Sequence, residues 1–164
     1  MKITALEEYG LRCLMVLGKN WPETALTMPE ISKSEGLSIS YVGKLLMILK
    51  QAGLVKAVRG RKGGYTLAGP PQALRLDTIF AALGEPLYSK NYCRKYSGDN
   101  EICVHLHDCN VRHMWWSFGH FINNVLQKLT LADLLNGGYE KVIESLNVKG
   151  DSEKVLEKHQ DLKV

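Results

Sequence analysis

Leu6, Tyr9, Cys13, Leu14 and Leu17 recur at helical spacing, so residues 4 to about 19 are predicted to form an amphipathic helix. Thr4 followed by Glu7 has the spacing of a capping box, and Gly18 with the run to Pro22 ends the segment. Thr27 and Glu30 repeat the cap ahead of a short helix that turns Ile31 inward and stops near Gly36. Ser38 or Ser40 then caps a third helix, Tyr41 to Ala52. Val42, Leu45, Leu46 and Leu49 share its apolar face, while Tyr41, Gly43, Lys44 and Lys50 lie outward. Two helices joined by a tight glycine-containing turn make a helix-turn-helix.

Beyond Gly53 the period changes. LVKAV, then RGRKGG, then YTLA read as two short strands around a glycine-rich turn, a β-hairpin with Arg59, Arg61 and Lys62 at its tip. A helix-turn-helix followed by a basic hairpin is a winged helix. Pro70 and Pro71 mark a boundary, and DTIFAAL reads as a brief helix. Residues 87 to 110 are polar, irregular and cysteine-bearing, a long loop of the kind that carries function. From Val111 the helical period returns through Met114, Trp115, Phe118, Ile122, Val125, Leu126 and Leu129, an apolar stripe large enough to require cover from the domain or from a second copy. Thr130 caps a short closing helix, LADLL, and beyond Gly137 the sequence is polar and expected to form a loosely held tail.

The predicted fold is mainly α with a small β-hairpin wing: a winged helix-turn-helix over residues 1–70, a linker helix and cysteine-bearing loop over 71–110, a long helix and short closing helix over 111–136, and a polar tail over 137–164.

Charge placement narrows the class of partner. The net charge is only +4, but from Gly36 to Leu76 there is no Asp or Glu, while Lys44, Lys50, Lys56, Arg59, Arg61, Lys62 and Arg75 fall inside. Such a surface suits a polyanion. No nucleophile–base pairing or paired carboxylate stands out, and RGRKGG lacks the glycine, lysine and hydroxyl pattern of a phosphate-cradling loop, so no enzyme is expected. Glu7 and Glu8 lie ahead of the main apolar run of the N-terminal segment, which has no cleavage site, and no apolar run reaches about eighteen residues, so the expected location is cytoplasmic, away from membranes. Thiols stay reduced there, so the cysteines point to metal binding or redox chemistry.

Cys93, Cys103 and Cys109 are spaced C-x9-C-x5-C. Three thiolates suit an iron–sulfur cluster, a zinc ion completed by a histidine, or a thiol redox switch, and the residues alone admit all three. Cys13 falls on an apolar helix face and reads as a small buried hydrophobe. At the entry to the third helix, the hydroxyls of Ser38, Ser40 and Tyr41 suit phosphate contact, with Ser40 or Tyr41 also near base edges. Lys44 suits a phosphate or a guanine edge, and Arg59 a narrow minor groove.

These residues resemble a known group. RGRKGGYTLAGPP followed by LRLDTIFAALGEP is similar to the wing and linker of the IscR/NsrR/RirA/CymR group of bacterial winged-helix regulators. EEYGLRCLMVL, SISYVGKLLMILKQAGLV and TLADLL fit the same group, over about residues 1 to 136. The resemblance implies a homodimer on a palindromic duplex, with long helices crossing between subunits, third helices in the major groove and wings reaching the minor groove. It implies that the three loop cysteines hold an iron–sulfur cluster, and it places Glu8 where related members supply a carboxylate from the partner's first helix; three thiolates and a carboxylate favour a 4Fe–4S over a 2Fe–2S cluster. His105, His107 and His113 are rival ligands by proximity. The chain departs from the pattern in a longer first cysteine gap, in Arg112 where IscR-type members have a histidine, and in Gly43 where many have an acid. The expected function is a transcriptional regulator whose operator binding follows cluster state. The alternative is a cluster-free winged-helix regulator governed by a partner protein or metabolite, or one with structural zinc.

Overall fold

Helix α1 (Ala5–Lys19) starts at Thr4, whose side chain accepts from the Glu7 N–H while the Glu7 carboxylate accepts from the Thr4 N–H at 2.7 Å. Two of the orphan donors at the helix start are thereby satisfied. The same box, Thr27 with Glu30, opens α2 (Met28–Glu35). Gly36 ends α2 with φ of 67°, a left-handed conformation that costs glycine nothing, and its N–H donates to the Ser32 carbonyl. Ser38, rather than Ser40, caps α3 (Ile39–Gln51) by accepting from the Tyr41 N–H at 3.3 Å. The structure is a computed structural model and describes residues 3–60, 63–86, 88–89, 92–105 and 107–148. Arg61 and Lys62, expected at the wing tip, lie outside the described residues.

Strands β1 (Val55–Val58) and β2 (Gly64–Leu67) pair antiparallel, Val55 opposite Leu67 and Val58 opposite Gly64. Leu26, in the loop between α1 and α2, exchanges two backbone hydrogen bonds with Tyr65, which ties the wing to the helices. A Cβ at Gly64 would stand 2.5 Å from the Leu26 carbonyl oxygen, so this close approach requires glycine. The core lies between α1, α3 and β2. Leu14, Leu17, Ile31, Val42, Leu45, Leu46, Leu49 and Leu67 are all wholly buried there, each contributing about 2 kcal/mol of transfer free energy.

After a short 3-10 turn at Pro71–Ala73, α4 (Leu76–Leu83) adds Ile79 and Leu83 to this core. The cysteine-bearing segment is not wholly irregular, since it contains the one-turn helix α5 (Tyr92–Lys95). The long helix α6 (Asn110–Lys128) follows, then α7 (Leu131–Leu135), opened by a Thr130–Asp133 box, and α8 (Tyr139–Val148). Two backbone hydrogen bonds, Leu76 N–H to the Leu129 carbonyl and Leu131 N–H to the Leu74 carbonyl, fasten the far end of α6 to the linker. Helix α8 stands where a loose tail was expected; residues 149–164 lie outside the described residues.

The apolar stripe of α6 divides in two. Val125 and Leu126 pack on the core, with Leu129 buried just beyond the helix, while Val111, Met114, Phe118 and Phe121 stay exposed and no residue of the helix is fully buried. Among the described residues no helix is long and apolar enough to cross a membrane.

Candidate nucleic-acid interface and thiol loop

Helix α3 buries one face completely, which turns the opposite face outward. Ser38, Ser40 and Lys44 are exposed there, and Arg59 is exposed at the start of the wing turn. Ser38 is partly committed as the cap, with its Oγ 3.2 Å from that of Ser40. Arg75 pairs with Asp77 at 2.8 Å. Lys44, Lys50, Lys56 and Arg59 form no ion pair among the described residues, so their charge faces outward uncompensated.

Tyr41 has a different setting. It is half-buried, and its ring meets that of Tyr9 edge to face, centroids 6.0 Å apart. The Arg12 guanidinium lies 5.4 Å above the Tyr9 ring. Arg12 in turn donates from Nε to Glu35 Oε2 at 2.6 Å and from Nη2 to the Glu35 carbonyl at 3.0 Å. The hydrogen bond that Arg12 donates to the Glu35 carboxylate is the main cause that raises the Arg12 pKa above its ordinary value. A chain of contacts thus joins α1 to the end of α2 and to the start of α3. Glu8 stands one turn before Arg12 on α1 and is exposed, whereas its neighbour Glu7 is engaged in the cap.

In the thiol loop, one residue touches two of the three cysteines. Cys109 caps α6, its Sγ accepting from the Arg112 N–H at 3.3 Å, and Arg112 Nη1 lies 4.0 Å from Cys93 Sγ on α5. Tyr88, Tyr92 and Tyr96 form a ladder beside them, with ring centroids 5.4 and 4.9 Å apart. Burial pushes the Tyr88 hydroxyl pKa up, the Cys93 charge adds to the rise, and Arg112 opposes it. Cys103 is half-buried, and His105 and His107 are exposed. Among the described residues no three of His, Cys, Asp and Glu stand close enough to share a metal ion. Cys93 and Cys109 are therefore brought together at Arg112, while Cys103 and Glu8 do not complete a group with them. As a donor set, three accessible soft thiols fit an iron–sulfur cluster or zinc. Cys13 is wholly buried, and burial pushes its pKa up to about 11, the state of an inert core thiol.

Two features escape the sequence reading. The Cys109 half of the Arg112 contact could have been suspected, because an N-cap side chain receives the N–H three residues on; the Cys93 half could not. Ile39 and Met47 are half exposed on α3, and helical spacing puts Met47 on the face of Ser40 and Lys44.

Comparison with known proteins places this arrangement. Residues 3–137 match a family described as "Rrf2: Iron-dependent Transcriptional regulator". The chain is similar to the protein rrf2 of Nitratidesulfovibrio vulgaris, 28% identical over 135 residues, covering 82% of this chain and 87% of that protein. Among solved structures it is similar to T. potens IscR, with a TM-score of 0.67 at 28% identity, covering 86% of this chain and 90% of that one. It is also similar to CymR, the global cysteine regulator of B. subtilis, with a TM-score of 0.65 at 28% identity, covering 83% and 97%. Relatives named as transcriptional regulators rather than enzymes, a matched winged-helix fold and an uncompensated basic face together mean that the chain belongs to the Rrf2 family of DNA-binding transcriptional regulators.

Proposed function

We propose that the chain acts as a homodimer on a palindromic operator and that an iron–sulfur cluster in the thiol loop governs its grip. The observation that carries this reading is the gathering of Cys93 and Cys109 around Arg112 at the root of α6, with the accessible Cys103 in the same loop. Cys93, Cys103 and Cys109 would supply three thiolates and the partner's Glu8 a carboxylate, a donor set that favours 4Fe–4S over 2Fe–2S. Such a cluster supplies a centre that reacts with oxidants and nitric oxide and that is lost when iron is scarce.

The chain's own residues provide the transmission. Glu8 lies on the same rigid helix as Tyr9 and Arg12, which touch Tyr41 at the start of α3 and Glu35 at the end of α2. A restraint applied at Glu8 therefore tilts the helix-turn-helix as a unit. The exposed apolar side of α6 supplies the dimer seam, and the seam sets the separation of two reading helices. Half-site spacing is geometric, so a small tilt changes affinity strongly. In this reading Ser38, Ser40, Tyr41 and Lys44 would bind the major groove and its phosphates, and Arg59, Arg61 and Lys62 would bind the minor groove.

The second reading is a cluster-free regulator governed by a partner protein or metabolite, or one stabilised by zinc. Its cluster-free form is favoured by the absence, among the described residues, of any three His, Cys, Asp or Glu side chains close enough to share a metal ion. The test is iron and acid-labile sulfide per chain, with Mössbauer spectra, on protein purified without oxygen. Both elements should be present in cluster proportion, and Cys103→Ala should lose them while staying folded. Zinc alone, or no metal, decides for the second reading.

A further inference from the structure

Helix α3 treats its large apolar side chains in two ways. Val42, Leu45, Leu46 and Leu49 are wholly buried, but Met47 is 55% exposed and Ile39 51% exposed, and neither packs in the core cluster. Helical spacing sets Met47 among Ser40, Lys44 and Gln51, all exposed, on the face opposite the buried leucines. Ile39 opens the same helix beside the Ser38 cap. Isolated exposed apolar residues are ordinary on a protein surface. These two, however, sit inside the stretch that lacks any acid, beside Lys44, Lys50 and Arg59, which form no ion pair among the described residues.

That charge selects duplex DNA as the occupant of the face. The major groove presents one apolar group, the C5-methyl of thymine. We infer that Met47 and Ile39 are specificity residues that close over thymine methyl groups, while Lys44 and the serines contact phosphates and polar base edges. Met47 is long and unbranched, so it can follow a methyl across a small change of helix tilt. Ile39, on the first turn, is stiff and sits with the helix end that enters the groove. Burying one methyl-sized group amounts to about a fourfold change in affinity.

This inference rests on the placement of α3 in the major groove. The test begins by selecting, from a random-sequence duplex pool, the sequences the full chain binds, then remaking one with each thymine in turn replaced by deoxyuridine, which lacks only the methyl. At one or more positions in each half-site the wild-type chain should lose about fourfold in affinity. Met47→Ala and Ile39→Ala should each abolish the loss at its own position, leaving the salt dependence of binding unchanged. Met47→Gln, of similar length but polar, should behave like the alanine variant. If no sequence is selected, the placement of α3 falls and the inference with it. If sequences are selected but every deoxyuridine is tolerated, or the variants discriminate as the wild type does, the placement stands and the methyl contacts are refuted.

Discussion

Leu45 on α3 and Phe118 on α6 are both large apolar residues on amphipathic helices, yet Leu45 is wholly buried and Phe118 is 51% exposed. The contrast holds for the regions around them. The winged helix closes its core within one chain: helix starts are capped, the wing is tied back at Leu26, and the interior leucines have no access to water. Among the described residues the α6 stem is fixed to that core toward its far end, through Val125, Leu126, Leu129 and the hydrogen bond from the Leu131 N–H to the Leu74 carbonyl, and its other side is apolar and exposed. The first region is a finished reading head. The second has the composition of an interface whose other half is another molecule, a second copy in the proposed homodimer.

The largest expected effect lies in the reading head. Leu45→Ala should destabilise the fold by about 2–5 kcal/mol, because the removed methyl groups leave a cavity; urea denaturation measures it, and a midpoint equal to wild type would mean the core is not closed as described. In the stem, paired replacement Phe118→Glu with Phe121→Glu should leave the chain helical but turn the proposed dimer into a monomer. The operator should then bind more than roughly tenfold more weakly, because one head no longer places the other; sedimentation and gel shift read both. Arg59→Ala, at the wing, should cost about 1 kcal/mol of operator binding and lower the salt slope by about one. An unchanged slope would take Arg59 off the phosphate backbone.

One further effect, confined to alkaline pH, is a titration. Burial raises the Cys13 pKa from 9.0 to about 11, so the neutral thiol is the form the fold accepts. Its contribution is fully present below the unfolded value and is lost as pH rises through 9.0 toward about 11. Melting temperatures of wild type should therefore fall more steeply over that window than those of Cys13→Ala, and parallel curves would show that Cys13 does not titrate there.

The sequence reveals the reading head far better than the stem, and the physics of the two regions explains it. Thr4 with Glu7 and Thr27 with Glu30 are local signals, satisfied by residues three apart, and glycines at the turns likewise act on their own backbone. Periodicity in α6 showed that an apolar stripe exists, but period alone does not tell a side covered by the same chain from one left open, so the division between Val125 and Phe118 needed the fold. Helix α8 was also legible: Tyr139, Val142, Ile143 and Leu146 recur at helical spacing, a period outweighed by the polar residues between them and beyond them. The cysteines were legible as a set. The gathering of Cys93 and Cys109 by Arg112 was not, since that contact spans nineteen residues.

The most direct measurement of the central claim, that the thiol loop governs the reading heads, is operator affinity of one anaerobic preparation at fixed salt, before and after its cluster is destroyed by oxidant or nitric oxide. Coupling through α1 predicts a change of at least roughly fivefold, the lower end of ordinary coupling between sites, and Glu8→Ala should narrow the difference between the two states. Equal affinity in both states, with iron and sulfide shown to be present beforehand, would contradict it.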